Sequence, residues 1–319
     1  MVDVRAFGEK LSGNLERVVV GKRHPVELIV VALLCQGHVL IEDVPGVGKT
    51  MLARSLAKSL NCTFNRIQFT PDMLPSDVTG VSIFNQATRQ FEFRPGPIMG
   101  QVVLADEINR ATPKTQAALL EAMDEHQVTV DGTTHRLAPP FIVLATQNPI
   151  EYEGTFPLPE AQLDRFLMRV RLGYPSPQDE MRVLEQQKLQ HPINTLEPVF
   201  TADEVLAAAE AVKGVFVSDA IKRYIVEIVS RTRQNADVYL GASPRGSLAL
   251  YRAGQALAGL AGREFVLPDD VKSLSNSILG HRIIVTPAAR LRELSEDRIL
   301  QEIVEKVPVP GGDFRSRAE

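Results

Sequence analysis

Apolar residues in the first half of the chain follow two alternating patterns. Short runs that are apolar on both faces occur at 38–41, 102–105 and 141–145, as expected for strands in the middle of a parallel sheet. Leucines recur at every fourth position over 52–60, and a Thr-Pro pair typical of a helix start opens a predicted helix that ends near Glu125. With two weaker runs, the predicted strands are 38–41, 63–69, 102–105, 141–145 and 167–172. Strands that alternate with helices predict an α/β layered fold with a parallel sheet.

Two segments interrupt this alternation and are predicted to be β-hairpins. In 80–97, apolar residues lie on both sides of a polar stretch from Asn85 to Gln90. In 127–137, the pair Asp131-Gly132 separates two β-prone runs, and Asp-Gly between such runs is a strong signal for a short hairpin turn. Both hairpins are expected to be insertions into the core sheet.

The pattern changes after the segment 173–177, Gly-Tyr-Pro-Ser-Pro, whose composition predicts a linker. All patterns beyond it are helical, with predicted helices at 178–189, 202–212, 218–233, 244–260 and 268–279. We therefore predict an αβα domain over 1–175, a small all-helical domain over 176–308 and a flexible tail over 309–319, which is rich in Pro, Gly and charge.

Composition and charge narrow the class of protein. A chain of 319 residues with 44% hydrophobic and 23% charged residues is long enough for more than one core and typical of soluble proteins. Its net charge of −4 provides no global basic field for nucleic acid or anionic membranes. The start lacks a signal-peptide pattern, the apolar run 26–34 is too short for a membrane span, and Cys35 and Cys62 form no metal-binding pair. We expect a cytoplasmic protein without a membrane span.

A phosphate-binding loop is predicted between the first strand and the following helix. Gly46 and Gly48 allow backbone amides to approach an anion closely, and the helix directs its positive end to the same place. Lys49 is expected to reach the β- and γ-phosphates, and the Thr50 hydroxyl to bind Mg²⁺. The residues predicted to contact ATP or ADP here are Pro45, Gly46, Val47, Gly48, Lys49, Thr50 and Met51. Asp43 stands where such loops usually begin with glycine, and we expect its negative charge to lie close to the phosphates and to make the affinity modest.

Two adjacent carboxylates follow the strand 102–105. At the end of a buried strand, Asp106 and Glu107 would be costly unless something positive binds there, and Mg²⁺ provides that reason. Asp106 is predicted to hold the metal ion, directly or through water, and Glu107 to orient and deprotonate the attacking water. An ordinary acidic strand end is the alternative, which the upstream phosphate loop disfavours.

Three further polar residues are candidates for the same reaction. Asn148 follows an apolar strand and could touch the γ-phosphate and the lytic water, although Asn-Pro pairs are also common in turns. Arg165 is either a surface residue paired with Asp164 or an arginine finger that serves a neighbouring subunit. Arg245 lies in the first turn of the helix 244–260, where the helix dipole disfavours a cation. That placement points to an anionic partner such as the γ-phosphate, with a plain surface arginine as the alternative.

In this order, the five elements resemble those of the AAA+ ATPases. They are similar to Walker A at 43–50, Walker B at 102–107, sensor 1 at Asn148, the arginine finger at Arg165 and sensor 2 at Arg245. Within that class, the stretches 106–111, 145–149 and 158–166 resemble the MoxR group. The two hairpins look like the helix-2 insert and the pre-sensor-1 hairpin of the wider clade. The resemblance covers nearly the whole chain, and Arg245 is its loosest match in spacing.

The resemblance implies a AAA+ P-loop NTPase core, a lid domain over the adenine and hydrolysis of ATP to ADP and phosphate. It implies rings, usually hexamers, with the nucleotide between subunits, and it places Val20 and Gly21 in the adenine pocket. It further implies a chaperone for the assembly or activation of a protein complex, including metal-cofactor insertion. The partner implied is a protein with a von Willebrand factor A domain.

Several functions remain open at this stage. The leading hypothesis is a motor that remodels a protein client. A nucleic-acid translocase is disfavoured because the hairpin 127–137 offers only Arg136 as a full positive charge. A nucleotide-gated scaffold with little turnover is kept open by Asp43. These patterns do not determine the client, the ring size or the role of Arg110, which could serve a neighbour's site or brace Glu121 or a similar acid.

Overall fold

A parallel sheet forms the centre of the molecule. The computed structural model describes residues 2–148, 154–186 and 190–310. The five-stranded sheet has the order β2-β5-β8-β1-β9, and each of its neighbouring pairs runs parallel. The strands of the described residues are β1 (Val39–Glu42), β2 (Phe64–Gln68), β3 (Gly80–Asn85), β4 (Gln90–Pro95), β5 (Val102–Asp106), β6 (Gln127–Val130), β7 (Thr133–Arg136), β8 (Ile142–Gln147), β9 (Met168–Val170), β10 (Val238–Leu240) and β11 (Ile284–Val285).

Helices cover the sheet and make up most of the carboxyl half. The α-helices are α1 (Val4–Glu16), α2 (Arg23–Leu34), α3 (Lys49–Ser59), α4 (Pro75–Thr79), α5 (Pro113–Glu125), α6 (Glu160–Leu163), α7 (Pro177–Gln186), α8 (Ala202–Val212), α9 (Asp219–Gln234), α10 (Pro244–Leu260), α11 (Pro268–Leu279), α12 (Pro287–Leu291) and α13 (Glu296–Lys306). Short 3₁₀ turns occur at Pro97–Met99, Ile108–Arg110 and Pro192–Thr195. The predicted α/β fold with a parallel sheet and a helical carboxyl region is confirmed.

Side chains that alternate along the central strands divide the interior into two apolar clusters. Val39 and Ile41 of β1 belong to a cluster that continues into α1, α2, α3 and the helices of the carboxyl half. Leu40, between them, belongs to a second cluster with α5 and the inserted hairpins. Period-two alternation sends successive side chains to opposite faces, so both faces of the sheet are covered.

The amino-terminal helices were not predicted, and they connect the two halves of the chain. Phe7, Leu11 and Leu15 of α1 are buried in the same apolar cluster as Val205 of α8 and Leu250 of α10. Helix α1 packs against α2 and α3, and its packing surface is completed by α8 and α10, which come more than 180 residues later in the chain. Local periodicity alone contains no signal for such a distant partner.

Both predicted hairpins are present. In the first, β3 pairs with β4 from Gly80↔Pro95 to Asn85↔Gln90. In the second, β6 and β7 are joined by Asp131 and Gly132, whose φ angles of 49° and 77° are the positive values that a two-residue hairpin turn needs. The hairpins touch each other, because the Phe93 and His135 rings stack with centroids 3.8 Å apart.

The five predicted helices of the carboxyl half agree closely with the structure, but helices α12 and α13 and the short strands β10 and β11 were not predicted. The helix expected over 178–189 is observed as α7, which ends at Gln186, and residues 187–189 lie outside the described part of the chain. Strands β10 and β11 pair antiparallel within this otherwise helical region. Runs of three and two residues are too short for periodicity to reveal, so this small pairing was missed.

His38 connects three elements at the start of β1. Its Nδ1 accepts a hydrogen bond from the Val143 amide at 3.0 Å, and its Nε2 donates to the Met123 carbonyl at 3.0 Å. One ring nitrogen must therefore remain unprotonated. Burial lowers the pKa of His38 to about 4 from its ordinary value of 6.5. The neutral ring is a structural part of the interior, since protonation breaks the bond from Val143.

We predict that His38 makes stability depend on pH. Its folded pKa is lowered, so its contribution is complete above pH 6.5 and is lost as the pH falls towards 4. Between pH 7 and pH 5 the free energy of unfolding should fall by about 2 kcal/mol through this group. Urea unfolding at the two pH values should show this decrease in the wild type and a smaller decrease in His38→Gln. An equal decrease in both proteins would contradict the assignment.

Candidate functional site

The predicted phosphate loop connects β1 to α3 as expected. Gly46 and Gly48 have φ angles of 84° and 94°, which L-residues with a Cβ rarely adopt. Helix α3 begins directly at Lys49, and its N-cap Gly48 provides no side-chain hydrogen bond to the first amides. Uncapped amides at the positive end of an 11-residue helix form a site for an anion such as a phosphate group.

Lys49 lies folded over this loop. Its Nζ donates a hydrogen bond to the Asp43 carbonyl oxygen at 2.9 Å. Thr50 follows in the first turn of α3, and Val47 is almost fully buried. The ammonium group and the helix amides therefore converge on the same small region, where they would meet the phosphates of a nucleotide.

The Asp43 carboxylate is directed at the backbone that follows β9. Its Oδ2 accepts hydrogen bonds from the Leu172 amide at 2.6 Å and the Gly173 amide at 2.7 Å, and its Oδ1 accepts from the Val44 amide at 3.0 Å. Asp43 is 8% exposed. These three amides satisfy the carboxylate, which anchors the phosphate loop to the start of the linker. The prediction that the Asp43 charge lies close to the phosphates did not take these three hydrogen bonds into account.

The segment predicted to line the adenine pocket meets the same linker. Lys22, next to Val20 and Gly21, is buried and donates a hydrogen bond from Nζ to the Gly173 carbonyl at 2.9 Å. A methyl group added at Gly21 would overlap the Asp179 carboxylate of α7. Val20 and Gly21 therefore lie close to the end of the sheet that carries the phosphate loop, where α7 begins.

The two carboxylates after β5 are held by neighbours on both sides. Asp106 accepts a hydrogen bond from the Thr146 hydroxyl at 2.6 Å and pairs with the Arg66 guanidinium at 2.6 Å. Glu107 has a positive φ of 58°, accepts from the Gln68 amide group at 2.7 Å and pairs with Arg110 at 3.1 Å. The Glu107 amide donates to the Thr146 hydroxyl at 2.9 Å. Both acids are therefore oriented before any ligand is present.

Parallel pairing brings the predicted groups together at one edge of the sheet. The phosphate loop follows β1, Asp106 ends β5, and Asn148 follows β8, which lies between those two strands. Asn148 is 7% exposed. The carboxyl ends of adjacent parallel strands form the usual ligand crevice of open α/β sheets. The hydroxyl of Thr50 and the carboxylate of Asp106 are hard oxygen donors and fit Mg²⁺, directly or through water.

Sequence reasoning missed three residues that contact these acids. Arg66 and Gln68 lie two apart on β2, so they share one face of the strand, and Thr146 lies on β8. The placement of two polar residues on one face of the predicted strand 63–69 could have indicated Arg66 and Gln68 as candidates. Arg110 pairs with Glu107, an acid of the kind that one alternative expected it to brace.

Arg165 and Arg245 lie at the opposite edge of the sheet. Arg165 precedes β9, and β9 starts level with β1, since Met168 pairs with Val39. Both arginines face Asp124, whose Oδ2 lies 3.2 Å from Arg165 Nε and 3.7 Å from Arg245 Nη2. The four residues of β1 span about 13 Å between the two edges. Within one chain, neither guanidinium adjoins the phosphate loop.

A cavity of about 300 Å³ opens beside these arginines. Its charged and histidine lining residues are His38, Asp124, His126, Asp164, Arg165, Arg245, Arg252 and Arg282. Asp164 is not paired with Arg165, as one alternative expected, but with Arg282 at 2.8 Å. Burial lowers the pKa of the Arg282 guanidinium, and the adjacent Asp164 opposes that effect. The cavity therefore concentrates positive charge on a surface that its own chain does not fill.

Comparisons with known proteins found similar sequences along nearly the whole chain. The model of the ATPase family associated with various cellular activities matches residues 38–168, and the AAA lid domain model matches residues 230–303. The chain is 58% identical to YeaC, an uncharacterised protein of Bacillus subtilis, over 97% of this chain and 96% of that one. It is 39% identical to the chaperone MoxR1 of Mycobacterium tuberculosis, over 95% of this chain and 82% of that one.

A crystal structure of a candidate ATPase from Cytophaga hutchinsonii has the same architecture. It superposes with a TM-score of 0.90 at 38% identity and covers 96% of both chains. The similarity therefore extends from the phosphate loop through the helical region. Within the described residues, no helix is both long enough and apolar enough to span a membrane.

We predict that Asp43→Gly destabilises the protein without tightening nucleotide binding. The change restores the usual loop glycine but leaves two amides after β9 without their acceptor, which should cost about 1–3 kcal/mol. Urea unfolding and titration with a fluorescent ADP analogue measure the two effects. Asp131→Gly, an equivalent change in an exposed turn, is the control. A tenfold gain in affinity at unchanged stability would show that the Asp43 charge acts on the phosphates.

Proposed function

Because this chain belongs to the MoxR family of AAA+ ATPases, whose members bind nucleotide and hydrolyse ATP, we propose that it is a ring-forming motor that remodels a protein client. The observation that carries the proposal is the division of the site. The phosphate loop and both acids lie at one edge of the sheet, and Arg165 and Arg245 lie at the other. A second copy is needed to bring the two sets together.

We assign the groups at the carboxyl edge to binding and to water activation. Amides of the loop 45–50 and the Lys49 ammonium bind the β- and γ-phosphates. To reach the phosphates, Lys49 gives up its hydrogen bond to the Asp43 carbonyl oxygen. Thr50 and Asp106 would hold Mg²⁺, which would supply positive charge to neutralise the phosphate oxygens when bound. The residues Val20, Gly21 and Met51 complete the nucleotide pocket. Residues 1–175 and 176–308 are proposed as its core and lid.

Glu107 is the proposed general base. It orients a water for in-line attack on the γ-phosphorus and takes a proton from it, while Asn148 contacts the same water and the γ-phosphate. In the structure, the Gln68 amide and Arg110 both hold the Glu107 carboxylate. Their release is therefore a step that precedes hydrolysis. This restraint supports a second candidate function, a nucleotide-gated scaffold with little turnover until a partner binds.

Arg165 and Arg245 are proposed to act on the neighbouring subunit's nucleotide. In the isolated chain, both guanidinium groups face the Asp124 carboxylate. A γ-phosphate would compete with that carboxylate for them. A positive charge at that position stabilises the transition state of phosphoryl transfer. A closed ring satisfies this geometry for every subunit, and a hexamer is the form that we propose from the family.

The proposed client is a protein. The relative MoxR1 is named a chaperone, which supports a protein client. Assembly or activation of a protein complex in the cytoplasm is the activity that we propose, with a von Willebrand factor A domain protein as candidate partner and metal-cofactor insertion as a candidate outcome. Nucleic acid is disfavoured, because Arg136 is the single arginine or lysine of the hairpin formed by β6 and β7.

We predict that Glu107→Gln abolishes turnover but preserves nucleotide binding. The amide is isosteric but cannot take a proton, so kcat should fall at least about a hundredfold. Phosphate release and ADP-analogue titration measure the two properties, and Glu121→Gln on the surface of α5 is the matched control. Equal rates for wild type and Glu107→Gln, with and without candidate partners, would favour the scaffold over the motor.

Subunit mixing tests the proposed action between subunits. Arg165→Ala should lower kcat about a thousandfold or more, as expected for loss of an arginine finger. Glu107→Gln subunits have intact arginines, so a mixture with Arg165→Ala should be more active than the sum of the separate proteins. No gain on mixing, in samples shown by light scattering to co-assemble, would mean that Arg165 does not act on a neighbour.

A further inference from the structure

A partly buried hydrogen-bond network around Asp164 joins the two arginines to the same support. Asp164 is the C-cap residue of α6 and precedes Arg165 in the chain. Its Oδ1 accepts a hydrogen bond from Arg282 Nε at 2.8 Å, and its Oδ2 accepts from the Ser243 hydroxyl at 2.7 Å. Ser243 is the N-cap of α10 and lies two residues before Arg245. One carboxylate therefore bridges the segment before β9 and the start of α10.

The Arg282 side chain makes this bridge rigid. Its side chain is 3% exposed. Besides Asp164, it donates to the carbonyl oxygens of Phe166 at 2.6 Å and Leu167 at 3.0 Å, and also to that of Ile278 in α11. A guanidinium buried to this degree must keep its partners, because an unpaired charge in the interior is costly. The segment 164–167 is thus held by Arg282, which follows α11, so the support extends from the sheet to the helical region.

The guanidinium groups of Arg165 and Arg245 are held less firmly than that of Arg282. Arg165 and Arg245 are 31% and 54% exposed at the side chain, and both share the single carboxylate of Asp124. Long exposed side chains lose their alignment easily, whereas transition-state stabilisation requires placement to within a fraction of an ångström. The backbone positions next to Asp164 and Ser243 therefore decide where the two guanidinium groups can reach.

We infer that Asp164 is a positioning residue, which sets the spacing between Arg165 and Arg245 so that both reach one nucleotide on a neighbouring subunit. This inference rests on the proposed action of these arginines between subunits. Asp164 itself touches neither the nucleotide nor the water. Its effect is on the rate of the neighbour's site, and it leaves ATP binding by its own subunit intact.

The test compares Asp164→Asn with two other variants. Asp164→Asn removes the charge that faces Arg282, whereas Ser243→Ala removes the hydroxyl that donates to Asp164 Oδ2 and that also accepts the N-cap hydrogen bond from the Arg245 amide. The control is Asp270→Asn, which breaks the similarly buried pair with Arg263 at 2.6 Å, away from Arg165 and Arg245. We expect a decrease in kcat of about tenfold or more for Asp164→Asn, a smaller decrease for Ser243→Ala and less than a twofold change for the control. The ATP concentration at half-maximal rate should change by less than twofold in all three.

Mixing with Glu107→Gln then separates positioning from misfolding. Asp164→Asn subunits retain an intact nucleotide site, so mixing should raise the rate above the sum of the separate proteins. If Arg165→Ala gains activity on mixing and Asp164→Asn does not, the Asp164 inference fails alone. If neither gains activity, the proposed action between subunits fails as well. Should Asp164→Asn not fold, as judged by its melting temperature, an unchanged kcat of Ser243→Ala would overturn the inference.

Discussion

The parallel pairing of β1 with β8 and β9 is the constraint on which the functional design of this chain depends. Because neighbouring strands run in the same direction, all loops after the strands lie at one edge and all loops before them lie at the other. The phosphate loop and the acids therefore converge without being close in the chain. The same pairing places Arg165 at the opposite edge, so one fold presents two groups of candidate residues, one at each edge, which we call half-sites.

Buried polar groups hold each half-site in shape. At the carboxyl edge, the Asp43 carboxylate accepts hydrogen bonds from three backbone amides. The Thr146 hydroxyl joins the Asp106 carboxylate to the Glu107 backbone amide. At the amino edge, Asp164 and Arg282 neutralise each other in the interior. Such groups are costly to bury and are retained only where their partners are complete. Each of them restrains a backbone segment next to a residue proposed to contact nucleotide, which relates stability directly to the geometry of the site.

Much of the fold could be predicted from local patterns. Helices α5, α8, α10 and α11 have the predicted ends, since a Pro or a cap residue marks each start and apolar residues recur along one face. The hairpin turn at Asp131-Gly132 was readable because its geometry requires positive φ angles. In contrast, α1 was not predicted, and part of the surface that buries it comes from α8 and α10, far along the chain.

For the site, the sequence by itself determined the chemical groups: a glycine loop before a helix, two acids after a buried strand, and two arginines. Those assignments follow from local rules, because a helix start, a strand end and a charge each have the same physical properties wherever they occur. Only the tertiary structure decided their relations. It directed the Asp43 carboxylate to the backbone after β9, placed Gln68 against Glu107, and separated Arg165 and Arg245 from the phosphate loop of their own chain. These relations depend on strand order and on packing between distant segments, which local sequence patterns do not specify.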